Sequence, residues 1–160
     1  MKKILFILFL LSANLIAQNT TDSIPLNKHE LSLNYINIGI LETTSFVGLS
    51  YEYNLKNHET ISFELLKSYE TGNKNPDYYA FTSYFRKYYY GFFSDVFLMF
   101  TDQDSNSTDV FFGADIGYKL KLYDKLTFSA FFGIGIDIIG ILDYSGGLTN
   151  RIGFSLGYRF

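Results

Sequence analysis

The sequence has no cysteine, no tryptophan, two prolines and only two histidines in 160 residues. Without cysteine the chain can form no disulfide, no thiolate metal site and no thiol nucleophile. No uninterrupted apolar run reaches the length of about 18 residues that a membrane-spanning helix needs. Cross-linked secreted domains, thiol enzymes and helical membrane proteins are therefore not predicted.

Aromatic residues, by contrast, are abundant. They make up 19% of the chain, as 14 tyrosines and 17 phenylalanines. Many aromatics and few prolines favour pleated strands over helices. A length of 160 residues fits one domain.

The N-terminus, residues 1–17, has the three parts of a secretory signal peptide. Lys2 and Lys3 give a basic start, Ile4 to Leu11 form a short apolar stretch, and cleavage is predicted after Ala17. Removal of the two lysines changes the formal net charge from −3 to −5. An acidic mature chain without a basic run argues against nucleic acid as a partner.

The mature chain divides into a polar stretch and a series of apolar segments. Residues 18–28 lack periodicity and are predicted to be a short periplasmic tail. The rest, residues 29–160, contains eight segments of roughly ten residues separated by turn-rich breaks, as in tilted membrane strands. The segments are residues 29–40, 45–55, 60–69, 77–88, 91–101, 109–122, 126–140 and 148–160.

Large apolar residues alternate with small or polar ones in most of these segments, least clearly in the first and the fifth. A soluble, lipocalin-like barrel would bury the apolar face. The second face, however, is rich in Gly, Ser, Thr and Asn, which suits the narrow interior of an eight-stranded barrel better than a solvated surface. The predicted fold is all-β: an eight-stranded antiparallel up-and-down transmembrane β-barrel whose large apolar side chains face lipid.

The connections between segments agree with this topology, because an even number of strands places both termini on the periplasmic side. Extracellular connections are predicted at 41–44, 70–76, 102–108 and 141–147, and shorter periplasmic turns at 56–59, 89–90 and 123–125. Aromatic girdles are expected at both interfaces. Their predicted members are Tyr51, Tyr53, Tyr88, Tyr89, Tyr118, Tyr123, Tyr158 and Phe160 at the periplasmic rim, and Phe46, Tyr69, Tyr78, Tyr79 and Tyr144 at the outer rim.

The final segment carries a more specific pattern. Its apolar positions, ending on an aromatic residue, resemble the C-terminal signal by which outer-membrane barrels are recognised and inserted. These positions are Ile152, Phe154, Leu156, Tyr158 and Phe160. With the eight segments, this ending resembles the small eight-stranded outer-membrane β-barrel proteins, similar to the transmembrane domain of OmpA and to OmpX, and most of all the short families that contain only the barrel.

The resemblance implies an outer-membrane location and several partners. Outer-membrane lipids and lipopolysaccharide would surround the barrel, and the barrel-assembly machinery would insert it; a monomer is expected and no cofactor. The predicted extracellular connections are shorter than the long loops that better-studied members often carry.

Charged residues at inward positions are the first candidates for a functional site. Because a buried charge is costly unless paired, their nearly balanced signs predict an internal ion-pair network that plugs the barrel. A selective pore is the alternative, disfavoured because eight strands leave little lumen. The candidates are Glu52, Glu64, Arg86, Asp115, Lys119, Lys121, Asp137, Arg151 and Arg159. Glu52, Glu64 and Arg86 are expected together toward the periplasmic end.

The sequence gives less support for a catalytic site or a metal site than for the internal ion-pair network. A barrel that modifies lipopolysaccharide would need a histidine with serine and carboxylate at the outer rim, but His29 and His58 both fall on the periplasmic side. The acidic stretch 102–109 resembles a calcium loop, yet Ser107 and Gly113 replace the required glycine and distal glutamate, so a solvated loop is favoured. No catalytic residue and no metal site are predicted.

Two further features concern the barrel wall. Lys67 falls on the lipid-facing side near the outer end, where a lysine can extend to headgroups and pair with lipopolysaccharide phosphates. An ordinary exposed lysine at the interface is the equal alternative. The glycines of the last two segments are interpreted as providing curvature and clearance for neighbouring side chains, not as a phosphate site; they are Gly133, Gly135, Gly153 and Gly157. The sequence thus predicts a non-enzymatic outer-membrane barrel with a structural or surface-interaction role. A narrow pore and an outer-leaflet lipid enzyme are the second and third hypotheses.

Overall fold

A computed structural model describes residues 29–38, 44–55, 58–69, 78–103, 107–139 and 147–160. The predicted signal peptide and the predicted tail at 18–28 lie outside the described residues, and so do Tyr144 and the centre of the acidic stretch 102–109. The described part of the chain contains no helix that is long and apolar enough to cross a membrane.

Eight antiparallel strands form one closed barrel in sequence order, which confirms the predicted fold class. The strands are β1 His29–Ile38, β2 Thr44–Asn54, β3 Glu59–Ser68, β4 Tyr78–Tyr89, β5 Phe92–Gln103, β6 Ser107–Lys121, β7 Leu126–Asp137 and β8 Leu148–Arg159. Each lies within about two or three residues of a predicted segment. The main difference is that β5 and β6 extend into the predicted loop at 102–108.

Closure of the barrel depends on β1, which pairs with β2 on one side and with β8 on the other. Glu30 lies opposite Glu52 of β2 and opposite Arg159 of β8. Because full closure leaves no free sheet edge, all strand backbone groups can be paired within the barrel. This pairing also brings three charged side chains side by side.

The two ends of the barrel are built differently. At the turn end, defined by His29 and Phe160, β4 and β5 are joined by Tyr90 and Gly91 alone, both with positive φ (52° and 91°). Two positive φ values define the tight hairpin turn that matches strand twist. The opposite end, called the loop end, carries the connections that follow β1, β3, β5 and β7.

The outer and inner faces of the barrel have opposite chemistry. Along β8, Ile152, Phe154 and Leu156 are each between 44% and 48% exposed on the outside, whereas Arg151 and Arg159 are buried inside. Buried polar residues line the same inner face on the other strands. An apolar exterior around a polar interior is the inverse of a water-soluble protein and is typical of a membrane barrel.

The interior also contains an apolar part, which the sequence interpretation did not foresee. Small side chains were expected to fill the lumen between the charges. Instead, large side chains pack together inside; the buried members of this cluster are Ile36, Phe46, Leu66, Ala80, Tyr84, Phe97 and Met99. They fit because glycines face them: a Cβ on Gly113, for example, would overlap the Phe97 ring.

Three predicted girdle aromatics face inward. Tyr88 and Phe46 are 8% and 3% exposed and point into the lumen, so they cannot contact lipid headgroups. Tyr78 lies on the same inward side of β4 as Ala80 and packs against the apolar cluster. Tyr51, Tyr53, Tyr89, Tyr158 and Phe160 do lie exposed on the outside near the turn end.

Candidate functional site: the charged interior

The inward positions of seven strands bring together two groups of charged side chains. The Arg86 cluster consists of Glu30, Glu52, Arg86, Tyr88, Asp95, Lys119 and Arg159. The Arg151 cluster consists of Asn34, Glu64, Tyr84, Asp115 and Arg151. Five carboxylates and four cations are thus buried in the barrel, so most of the charge is compensated internally.

Arg86 is the centre of the first cluster. Its Nε and Nη2 atoms donate to the two carboxylate oxygens of Asp95 at 2.8 and 2.7 Å, and its Nη1 donates to Glu52 at 3.1 Å. The guanidinium lies 3.8 Å from the centre of the Phe93 ring. A two-pronged pair plus ring stacking exploits the planar fork of arginine, so lysine could not replace Arg86 equivalently.

Glu30 and Lys119 extend the cluster across the barrel. Lys119 Nζ lies 3.0 Å from Glu30 Oε1 and 3.1 Å from Glu52 Oε2. The other oxygen of Glu30 accepts from Arg159 Nε at 2.7 Å, and Thr127 donates to Glu30 at 3.0 Å. Glu30 therefore ties β1 to β6, β7 and β8 in one hydrogen-bonded group.

The second cluster is organised around Arg151, which is fully buried. Its Nη2 atom lies 3.1 Å from Glu64 and its Nη1 atom 3.4 Å from Asp115. The hydroxyl of Tyr84 donates to Glu64 and accepts from Arg151, and Asn34 also donates to Glu64. Two carboxylates thus share one guanidinium, so the charge of this cluster is compensated in part.

Glycines provide the space that these side chains occupy. A Cβ added to Gly133 would overlap the Asp115 carboxylate, and one added to Gly157 would overlap Glu30 together with Ser32 and Thr127. The absence of a side chain at these inward positions thus lets a neighbouring strand's carboxylate lie flat against the barrel wall. This is the clearance expected from the sequence for these glycines.

Little empty volume is left among the charged side chains. The cavity lined by members of both clusters measures about 20 Å³. A single water molecule needs about 10–15 Å³ of such space. The interior at this level can hold about one water and offers no room for a small-molecule ligand.

The structure brings together seven of the sequence candidates: Glu52, Glu64, Arg86, Asp115, Lys119, Arg151 and Arg159. Glu64, however, pairs with Arg151 rather than joining Glu52 and Arg86. Asp137 faces inward near the loop end but pairs with no described cation, and one of its buried oxygens has no described hydrogen-bond partner. Lys121 lies partly exposed near the turn end, 3.5 Å from Asp124.

Two central carboxylates were missed by sequence reasoning. Glu30 and Asp95 stand in the first and fifth segments, where alternation is least clear. In β5 the inward residues include Phe93, Phe97 and Met99, so both faces of this strand are apolar and the charge in between does not stand out. The sequence feature that could have identified Asp95 is the short turn at Tyr90 and Gly91, because a two-residue turn there places Asp95 opposite Arg86.

The two histidines lie where a polar rim residue is expected. His29 is at the turn end, its Nδ1 2.6 Å from the Tyr51 hydroxyl and its ring stacked on Phe160 at 5.7 Å between centres. His58 lies in the turn between β2 and β3 with a φ of 63°. Among the residues that the structure describes, no group of three or more His, Cys, Asp or Glu side chains is placed to hold a metal ion.

A closed eight-stranded antiparallel barrel with an apolar exterior and a packed, charged interior defines a class of protein. Its fold is that of the small outer-membrane β-barrels, which cross the membrane with their strands. The residues predicted as an insertion signal are on its outer face, where Tyr158 and Phe160 are 51% and 56% exposed. Their role in insertion stays a prediction.

Comparison with solved structures confirms the resemblance at the level of fold. Neisserial surface protein A superposes with a TM-score of 0.53 and 8% identity over 82% of this chain and 96% of that one. Ail of Yersinia pestis, in a bilayer nanodisc, gives 0.51 and 14% over 82% and 98%. A de novo designed transmembrane β-barrel gives 0.51 and 11% over 82% and 95%. No protein-family model matches the sequence. No curated protein matches it either.

Proposed function

We propose that this chain is a non-enzymatic outer-membrane protein whose barrel is plugged by its own ion pairs and serves a structural or surface-interaction role. The main support for this proposal is the pair of charge clusters inside the barrel, because the cavity that members of both clusters line measures only about 20 Å³. Such a barrel acts through its outer surface and its ends rather than through its lumen.

The location and orientation belong to the same proposal. The turn end would face the periplasm, because outer-membrane barrels have short periplasmic turns and place both termini there. The loop end would then face outward, so its connections would be the part of the chain available to extracellular partners. Lipids and lipopolysaccharide would surround a monomeric barrel, which the assembly machinery would have inserted.

A narrow pore is the second candidate, because the interior carries nine charged side chains along its length, five acidic and four basic. Conductance across planar lipid bilayers distinguishes a plugged barrel from a narrow pore. We expect no stable ion-selective current from the wild-type barrel, and no gain from Lys87→Ala, whose side chain lies outside. Arg86→Ala should raise the frequency of transient currents because it removes the centre of one cluster. Stable currents from the wild type would overturn the plugged-barrel proposal.

Lipid modification is tested separately in cells. Expression of the protein should leave the mass spectrum of lipid A unchanged. A new or shifted lipid A mass that disappears with His29→Ala or His58→Ala would contradict the non-enzymatic proposal. Heat-modifiable migration on a gel, folded against boiled, checks in each case that the barrel has formed.

A further inference from the structure

A shallow groove crosses the outside of the barrel toward its loop end. It runs from β2 to β6 and has a volume of about 520 Å³, within the usual range of small-molecule sites. Apolar side chains line its floor and walls, among them Leu49, Leu65, Phe81 and Phe100. Leu49 and Leu65 are 54% and 66% exposed, so this face contacts whatever surrounds the barrel.

The rim of the groove is polar and carries a cation. Lys67 and Tyr79 line it at the loop end, with the lysine Nζ 5.5 Å from the centre of the tyrosine ring. Lysines on the lipid-facing side of a membrane protein extend toward the headgroup layer. Asp102 and Thr108 line the same rim, so it also offers acceptors for hydroxyl groups.

We propose that this groove binds one acyl chain of an anionic lipid, with the headgroup phosphate at Lys67. The apolar lining suits a hydrocarbon chain, and the rim places a cation where the chain meets its headgroup. A headgroup that combines a phosphate with hydroxyl donors, such as phosphatidylglycerol, complements Lys67 and Asp102 together. A choline headgroup has no hydrogen-bond donor for the carboxylate.

The proposal rests on the membrane location proposed above, and one experiment tests the two separately. Because the chain contains no tryptophan, Phe81→Trp places a single fluorophore in the groove. Phe132→Trp, on the outside of β7 and 48% exposed in the wild type, places one on a face away from the groove. Both variants are refolded into phosphatidylcholine vesicles that contain an equal small fraction of brominated phosphatidylglycerol or brominated phosphatidylcholine.

We expect brominated phosphatidylglycerol to quench the groove tryptophan several-fold more strongly than brominated phosphatidylcholine does, while the β7 tryptophan is quenched equally by both. Adding Lys67→Gln should reduce the preference for the anionic lipid about fivefold, the effect of one basic residue at an anionic surface. Lys87→Gln is the matched control, since Lys87 lies 6.0 Å from the Tyr89 ring on the outside at the turn end. It should leave the preference unchanged.

The remaining outcomes each overturn a different statement. Equal quenching of the groove tryptophan by both lipids would overturn the lipid site and leave the membrane location standing. A groove tryptophan shielded from both lipids, beside a quenched β7 tryptophan, would show that a second protein copy covers the groove instead. If neither tryptophan is quenched, the membrane location itself is wrong.

Discussion

Arg86 and Asp95 face each other directly across the β4–β5 hairpin and form a two-pronged ion pair inside the barrel. The carboxylate of Asp95 is fully buried and the Arg86 side chain is 11% exposed. Since the turn between them contains only Tyr90 and Gly91, this pair can form as soon as the hairpin does. It then presents Arg86 to Glu52, which arrives on a different strand.

Removing Arg86 should destabilise the barrel strongly. In Arg86→Met, Asp95 and Glu52 keep their charges but lose a buried partner, and breaking such a pair costs about 3–5 kcal/mol. The midpoint of guanidinium unfolding, followed by the folded band on unboiled gels, should fall accordingly. Lys87→Gln is the control: its pair with Glu59 is exposed and is expected to contribute no more than about 1 kcal/mol. Equal effects of the two substitutions would contradict the buried network.

Glu30 and Asp137 both face inward, but only Glu30 belongs to one of the two charge clusters, so the two carboxylates should differ in their effect on stability. Glu30→Gln keeps the size of the side chain but removes the charge that Lys119 and Arg159 share, so we expect a loss of about 3 kcal/mol in unfolding free energy. Asp137→Asn should change that free energy by no more than about 0.5 kcal/mol, because no described cation pairs with Asp137. A large effect at Asp137 would place it in an ion pair after all.

The clearance at Gly157 gives a steric prediction. A methyl group there would press on Glu30, Ser32 and Thr127, so Gly157→Ala should cost about 1–3 kcal/mol of stability, as overpacking usually does. Gly147→Ala serves as the comparison, since no atom of the described residues lies within 4 Å of a Cβ at that position. The same unfolding assay measures both, and a neutral Gly157→Ala would mean that Glu30 can move away freely.

The lipid-facing side of β8 can be tested by depth. Phe154→Lys introduces a charge on the outer face of the strand, where it should cost about 2–4 kcal/mol if the position lies near the bilayer centre. Tyr158→Lys, close to the turn end, should cost no more than about 1 kcal/mol. Unfolding from bilayers provides the comparison, and a Phe154→Lys variant as stable as Tyr158→Lys would mean that this face is not in lipid.

The sequence was sufficient to predict the strands and the closed barrel, because membrane strands need alternation and because short turns separate them. In β2, for example, the outer face carries Val47, Leu49 and Tyr51, and the inner face carries Gly48, Ser50 and Glu52. Alternation assigns a residue to a face but does not identify its neighbour across the lumen. Glu64 was therefore grouped with Arg86 of the adjacent strand, although the side chain of Arg151 reaches it from β8.

The prediction that Tyr88 belongs to an interfacial girdle was wrong for a related reason. A tyrosine at the end of a strand is typical of an interfacial girdle, and Tyr88 has that sequence position. Inside the barrel its hydroxyl instead donates to Glu52 at 2.8 Å. Parity alone would have assigned Tyr88 to the lumen, because it stands two residues after Arg86. The general preference of tyrosine for interfaces gave the opposite and incorrect assignment.

The last strand supplies two of the four buried cations, and this constrains the order of events during assembly. Arg159 pairs with Glu30 across 129 residues of sequence, and Arg151 pairs with Glu64 across 87. Until β8 is in place, both carboxylates lack these arginine partners, and Glu30 has only Lys119 as a cationic partner among the described residues. These two pairs can therefore form only in the step that brings β8 to its place beside β1.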